Sequence, residues 1–250
     1  MILEKIGKRT LQLLKEDLKI IDYSFAIPYT YVVIEGKKKK SIGVAVTLVE
    51  EIHSFENSVS NISLESFLQG AESFNIIERT LSLATINAIS QYYIDLSDEV
   101  DSDVIRLLGR ETNVEKVAVI GSMFPIVKKL QEIGKKVFVF ERNKVLFDKI
   151  TISDGLEYQL LPKMDAILAT GAVLLNGTVD LILDRANNAK VVALLGPTAQ
   201  ALPELFSDEH ITYLCSSKVE DIDNALMNLK LGSFKGSGKY NRRYALKIKN

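Results

Sequence analysis

The chain is poor in the residues that most often announce a chemistry. Of its 250 residues one is cysteine, two are histidine and none is tryptophan. The single cysteine, Cys215, excludes an intrachain disulfide framework and points to a reducing, cytoplasmic setting. Cys215, His53 and His210 lie far apart, with no C-x-x-C or H-x-x-x-H spacing, so no local motif supplies a soft-metal site. The same scarcity leaves no Ser/His/Asp or Cys/His relay to propose. Neither sign of charge is in excess. Thirty-one Lys and Arg stand against 32 Asp and Glu, a net charge of −1, which gives no electrostatic case for nucleic acid or an anionic membrane. No apolar run approaches the roughly 20 residues that span a bilayer. The N-terminal MILEKIGKRTLQLLKEDLKI spreads its charges at helical spacing and lacks the compact apolar core of a signal peptide.

What is present is a globular composition, 47% hydrophobic and 25% charged, patterned in two styles. In the first hundred residues, Ile2, Ile6, Thr10, Leu13, Leu14 and Leu18 predict an amphipathic helix over 2–20. The β-branched and aromatic runs 29–35 and 41–48 flank Gly36-Lys-Lys-Lys-Lys40 and predict a hairpin with a basic tip. That tip reads as a solvated turn or as an attractor for an anion. Residues 54–70 look irregular, and Glu72 to Tyr93 carries two helical patterns. Asn87, in the apolar stretch Ala84–Ile89, needs a hydrogen-bond partner if buried. The acidic, turn-like stretch from Asp95 to Asp103 reads as a linker. We therefore expect an α+β domain over residues 1–100.

From Val114 onward strands and helices alternate, the signature of a parallel α/β sheet over residues 101–250. Strands are predicted at 117–120, 136–140, 165–169, 191–195 and 211–215, with helices from Pro125, after Thr178, near Pro203 and over 219–231. Three of these strands run into glycine-bearing turns: Gly121-Ser122-Met123-Phe124, Thr170-Gly171, and Gly196-Pro197-Thr198. In a parallel sheet such ends open onto one edge, where α/β folds bind their ligands. Glycine admits a ligand to the backbone, and helix N-termini offer unpaired N–H groups that favour an anionic partner.

The turn after the first of these strands is not a dinucleotide fingerprint. G-x-G-x-x-G would need glycines where Met123 and Ile126 stand, so hydride transfer from NAD is not expected. Glu141 nevertheless falls at the end of the second strand, where a carboxylate can hold a ribose hydroxyl. The alternative is a surface Glu141–Arg142 pair with no ligand. Asn176-Gly177 marks a turn whose amide, with the Thr178 hydroxyl, would face the same crevice; Thr178 is also suited to cap the following helix. The tail carries Lys235, Lys239, Arg242, Arg243, Lys247 and Lys249 around a flexible-looking Gly236-Ser-Gly238. Its segment 243–248 reads as a basic edge strand, or as a source of arginines for an anionic ligand.

Taken together, Ala84-Thr-Ile-Asn87-Ala, Gly121-Ser-Met-Phe-Pro125, Phe138-Val-Phe-Glu141-Arg, Leu160-Leu-Pro-Lys-Met-Asp165, Thr170-Gly171 with Asn176-Gly-Thr178, and Leu195-Gly-Pro197-Thr resemble one family. It is the DUF364 heavy-metal chelation family with its DUF4213 N-terminal partner, and the resemblance covers nearly the whole chain. It implies a Rossmann-like C-terminal domain, an N-terminal domain like the N-terminal lobe of enolase, and a site between them. A homodimer would be unsurprising. Three functions are open. The first is binding of a small anionic or nucleotide-like ligand by Gly121, Ser122, Met123, Phe124, Glu141, Arg142, Thr170, Gly171, Asn176, Thr178, Gly196, Pro197, Thr198 and Asn87. The second is handling of a divalent metal or metal cofactor. The third is a non-catalytic interaction role.

Overall fold

The computed structural model describes the chain except for Asp98, Ser102, Thr112, residues 235–240 and Asn250. The expected Gly236-Ser-Gly238 link, with Lys235 and Lys239, lies outside the described residues.

The N-terminal helix α1 covers Ile2–Gln12 and is shorter than its hydrophobic pattern suggested. Residues beyond it turn into strand β1, Lys19–Ser24, which pairs antiparallel with β2, Tyr29–Glu35. β2 then forms the expected hairpin with β3, Lys40–Val46. Within the stretch expected to be irregular lies a short helix α2, Leu64–Gln69, capped by the Ser63 side chain. The two helical patterns beyond it merge into one long helix α3, Ile76–Tyr93, whose first turn is capped by Asn75.

α3 is buried on every side, as a helix apolar all round must be. Its Leu83, Ile86 and Ile89 join Val32 and Ile34 of β2 in the main core. A Cβ built on Gly43 would collide with the Ala88 nitrogen and the Ala84 carbonyl, so β3 and α3 pack backbone to backbone. The alternate residues Tyr31, Val33, Ile42 and Val44 point to the other face, against Ala225 and Leu229 of α8, Ile222–Lys230. The small sheet is thus covered on one face by its own helix and on the other by a helix from the far end of the chain.

The second sheet has eight strands. These are β4, Glu99–Asp101; β5, Lys116–Ile120; β6, Lys136–Glu141; β7, Thr151–Ser153; β8, Ala166–Thr170; β9, Val191–Leu195; β10, Tyr213–Val219; and β11, Asn241–Lys247. Their spatial order is β4-β11-β10-β9-β8-β5-β6-β7, parallel from β10 through β7. The chain winds outward from β5 to β6 and β7, then returns to β8 on the other side of β5. The resulting switch point lies between β5 and β8, and the sheet opens there into a crevice at the strand C-termini. Helices α4, Val104–Arg110, and α5, Phe124–Glu132, cover one face. Helices α3 and α7, Thr178–Arg185, cover the other, with the short α6, Glu157–Leu160, beside α7. Fully buried runs such as Val191–Leu195 are what a strand covered on both faces requires. Gly134, with φ +79°, ends α5 as the sequence suggested.

Two further sequence expectations change. The acidic stretch 95–103 is not only a linker, because its residues 99–101 form the edge strand β4. The tail strand β11 is accordingly not the edge; it lies between β10 and β4.

Candidate functional site

A cavity of about 430 Å³ occupies the switch-point crevice. Its floor is the C-terminal edge of the large sheet: Gly121, Ser122 and Met123 after β5, Glu141 and Arg142 at the end of β6, Thr170 after β8, and Gly196, Pro197 and Thr198 after β9. Asn176 and Thr178, before α7, complete that side. The opposite wall comes from the small sheet and the turn after it, through Tyr29, Val46, Thr47, Leu48, Glu50 and Glu51. Asn143, Asp154 and Glu157 close one end.

The loops hold this shape through specific contacts. Gly121 has φ +94°, and a Cβ there would lie 2.8 Å from the Thr170 methyl. Left-handed backbone and lack of space both require glycine. The Ser122 hydroxyl donates to Glu141 Oε2 at 2.7 Å, while Glu141 Oε1 accepts from the backbone N–H groups of Arg142 and Asn143, each at 2.8 Å. Three donors therefore fix this carboxylate and leave part of its acceptor capacity for a ligand hydroxyl. Asn176, and not Thr178, organises the start of α7: its Oδ1 accepts both the Thr178 N–H at 3.1 Å and the Thr178 hydroxyl at 2.8 Å.

Three sequence candidates stand outside the lining. Gly171 packs against the 198–199 backbone, where a Cβ would lie 2.7 Å from the Ala199 nitrogen. Phe124 begins α5 and turns away from the cavity. Asn87 is fully buried behind it and donates its side-chain amide to the Val44 carbonyl at 2.8 Å and the Thr198 carbonyl at 2.9 Å. Thr198 in turn accepts the Val46 N–H on its hydroxyl at 3.0 Å, and Gln200 accepts that of Val44 at 3.0 Å. The free edge of β3 is therefore satisfied by side chains of the loop after β9, which fixes one rim of the cleft.

The other rim is ionic. Arg142 donates from Nη1 to Glu51 at 2.6 Å and from Nε to Asp154 at 3.0 Å. Behind the wall, Arg79 is buried and spends its guanidinium on the carbonyls of Leu175, Leu174 and Ser73. Burial pulls its pKa down, and Asp180 and Glu51 oppose that pull. Among the described residues lining the cavity, the acidic groups are Glu50, Glu51, Glu141, Asp154 and Glu157, and the basic one is Arg142. Glu157 is only 4% exposed, and its carboxyl is pushed up to about 7, first by burial and then by Asp154, with Arg142 opposing. Glu157 and Asp154 escaped sequence reasoning, because a three-residue strand and a helix of one turn carry no readable periodicity. Glu50 and Glu51 stood in plain view after the hairpin, but only the fold brings them to the sheet edge.

The tail arginines do not reach this cavity. Arg242 pairs with Glu99 at 2.8 Å. Arg243 lines a neighbouring cavity of about 400 Å³ with Cys215, separated from the first by Met123 and the 195–197 turn. The Cys215 thiol is pushed up to about 12 by burial, reinforced by Asp103 and Asp101. His53 and His210 line neither cavity. Among the described residues no three His, Cys, Asp or Glu side chains are gathered to hold a metal ion, and no helix is long and apolar enough to cross a membrane.

Comparison with known proteins gives a consistent kinship. The DUF364 family, described as "Putative heavy-metal chelation", matches residues 103–248, and DUF4213, with the same description, matches residues 8–90. A protein of Methanocaldococcus jannaschii named "Uncharacterized protein MJ0500" is 45% identical over 99% of this chain and 98% of its own length. A DUF364 protein of Pyrococcus horikoshii, described as of unknown function, has a crystal structure that superposes with a TM-score of 0.95. Its identity is 46%, covering 99% of this chain and 100% of that one. A DUF364 protein of Desulfitobacterium hafniense shares the fold with a TM-score of 0.76 at 18% identity, over 98% of each chain.

Proposed function

The chain belongs to the DUF364 family, and from that premise we propose that its cleft binds a small, positively charged ligand of the nucleoside type. The observation that carries this reading is the acidity of the lining, with Glu50, Glu51, Glu141 and Asp154, besides the protonatable Glu157, facing a single guanidinium. That guanidinium is already committed to Glu51 and Asp154. An anion entering such a cavity would meet uncompensated carboxylates. Each unit pair at 5 Å costs about 3 kcal/mol at an effective dielectric near 20. The same arithmetic favours a cation. The anionic branch of the sequence expectation therefore loses support, whereas its nucleoside branch keeps Glu141, which sits where a carboxylate meets ribose hydroxyls beside the turn after the first parallel strand.

Ligands that join both features are nucleosides with an ammonium or sulfonium substituent in place of phosphate. A matched pair tests the idea: 5′-methylthioadenosine, which is neutral, and its S-methylated sulfonium, which is permanently charged. Thermal-shift and calorimetric titrations should show binding of the sulfonium, weaker binding of the thioether and none of ADP. At a hundred times Kd the bound form would gain about 2.7 kcal/mol of stability. Preference for ADP over the sulfonium would reject the reading.

The family description suggests a second reading, chelation of a heavy metal. The residues present do not fit a soft ion. The thiol and both imidazoles lie outside the cleft, and the lining offers oxygen donors of the kind that suit hard cations. Zinc, cadmium and magnesium belong in the same titration. A shift with a metal alone, and with no nucleoside, would favour this reading over the first.

A further inference from the structure

Among the described acids lining the cleft Glu157 alone is buried, whereas Glu50 is exposed to solvent. Glu141 is held by three donors, and Glu51 and Asp154 are held by Arg142. The Glu157 carboxyl lines the cavity, is 4% exposed, and among the described residues accepts no hydrogen bond. The residue is buried, yet its carboxylate oxygens are not among the fully enclosed unpartnered atoms, so they open onto the cavity, where a ligand can meet them. We propose that Glu157 is the recognition group for the positive centre of the ligand, and that its carboxyl releases a proton to solvent as that centre enters. The inference rests on the cationic-ligand reading above and deepens it by naming the residue that selects the charge.

The surroundings support the assignment. The charges acting on Glu157 are Asp154 on its own segment and Arg142 just after β6, and the same cavity is lined by Glu141 at the end of β6 and by Glu50 and Glu51 after β3. On α7, the Arg185 guanidinium is occupied with the Tyr158 carbonyl and ring. Among the described residues lining the cleft the one cation, Arg142, opposes the upward push but is shared with Glu51 and Asp154, so the carboxyl holds its proton into the neutral range. A sulfonium or ammonium arriving beside it reverses the balance. The negative form gains an ion pair in a partly dry cavity, and the proton leaves. Ligand affinity then falls as pH drops below about 7, because ionisation must be supplied from binding. A neutral analogue receives no such help and should bind with little pH dependence.

The test is calorimetric titration between pH 5.5 and 8.5, in two buffers of different ionisation enthalpy, on the wild type and Glu157→Gln. The probes are the 5′-methylthioadenosine sulfonium, its neutral thioether parent, and tetramethylammonium as a cation without a nucleoside. For the wild type, sulfonium affinity should weaken by up to about tenfold per pH unit below 7, with proton release near neutrality. Glu157→Gln should weaken sulfonium binding at pH 8 by about ten- to a hundredfold and flatten the pH profile, with a much smaller effect on the neutral thioether. Melting temperature and circular dichroism of the variant verify folding. Sulfonium binding that is independent of pH, or a pH profile retained in Glu157→Gln, overturns the role of Glu157 while the cationic-nucleoside reading stands. Binding of tetramethylammonium alone, with Glu157-dependent proton release, keeps the role of Glu157 and removes the nucleoside. Binding of no cation at any pH overturns both.

Discussion

Arg142 reaches across the mouth of the cleft to Glu51, placing Nη1 2.6 Å from Oε1, and its Nε is held by Asp154 at 3.0 Å. The pair ties the end of β6 to the turn after β3, so the two walls of the cavity are joined by one side chain. Arg142 is also the lining cation that opposes the upward push on Glu157. The Arg142→Gln variant should lose at most about 1 kcal/mol of global stability, because the pair is half exposed and screened by salt. Its larger effect should be electrostatic, moving the Glu157 titration further up. Carbon-13 NMR of labelled glutamate carboxyls, compared between wild type, Arg142→Gln and Glu157→Gln, reads that direction. An unmoved resonance would mean that Arg142 does not sense Glu157.

Glu157 also makes a prediction for stability in the absence of any ligand. Its folded-state pKa, about 7, is raised above the ordinary 4.5, so the native protein binds more protons than the unfolded chain between those values. Stability must then fall as pH rises through that window, and the full penalty is present above pH 7. Glu157→Gln removes the titration. The variant should therefore be more stable than wild type at pH 8, by on the order of 2 kcal/mol once the open side of the cleft is allowed for, and the difference should shrink towards pH 5. For a chain of this size the gain corresponds to a melting shift of roughly 4–8 °C. Urea titrations at pH 5 and 8 check the sign. Equal stabilities at both values would contradict a buried, protonated Glu157.

The opposite rim should tolerate far less. Asn87 bonds the carbonyls of Val44 and Thr198 from a fully buried position, and Gln91, one turn later, bonds Gln200 and the Tyr244 hydroxyl. Replacing Asn87 by Leu orphans two buried carbonyls and should cost about 2–4 kcal/mol. Asn87→Asp should cost more, because the added charge has no partner among the groups around it. Denaturant midpoints measure both. A loss below about 1 kcal/mol for Asn87→Leu would mean that this rim is not the fastening it looks to be.

Cys215 offers the check on soft-metal chemistry. With its thiol pushed up to about 12, almost none is thiolate at pH 8. Labelling by a disulfide reagent should be about a thousandfold slower in the native protein than in the unfolded chain. Cys215→Ala should leave any response to zinc or cadmium unchanged. A metal response lost in that variant would return the thiol to consideration.

The sequence by itself determined the elements with long, unambiguous patterns. The hairpin 29–46, the apolar strands that end at Gly121, Thr170 and Gly196, and the alternation of the longer strands and helices after Val114 were readable, because each pattern is local and repeats at the period of its element. The turns of the sheet edge were readable too, since parallel strands must open on one side. Shorter or more ambiguous elements were not. β4 and β7 have three residues each and gain their structure only by pairing with neighbours, and β1 begins where the helix-like spacing over 2–20 ends. Above all, the tertiary structure decided the charge of the site. Glu50 and Glu51 come from one sheet, and Glu141, Asp154 and Glu157 from around the other, separated by up to about a hundred residues of chain. Packing of α3 and α8 against both faces of the small sheet brings them together. A net charge of −1 over the whole chain concealed an acidic pocket. Net charge is a sum over the chain, whereas a field is a sum over distances, and only the fold sets the distances.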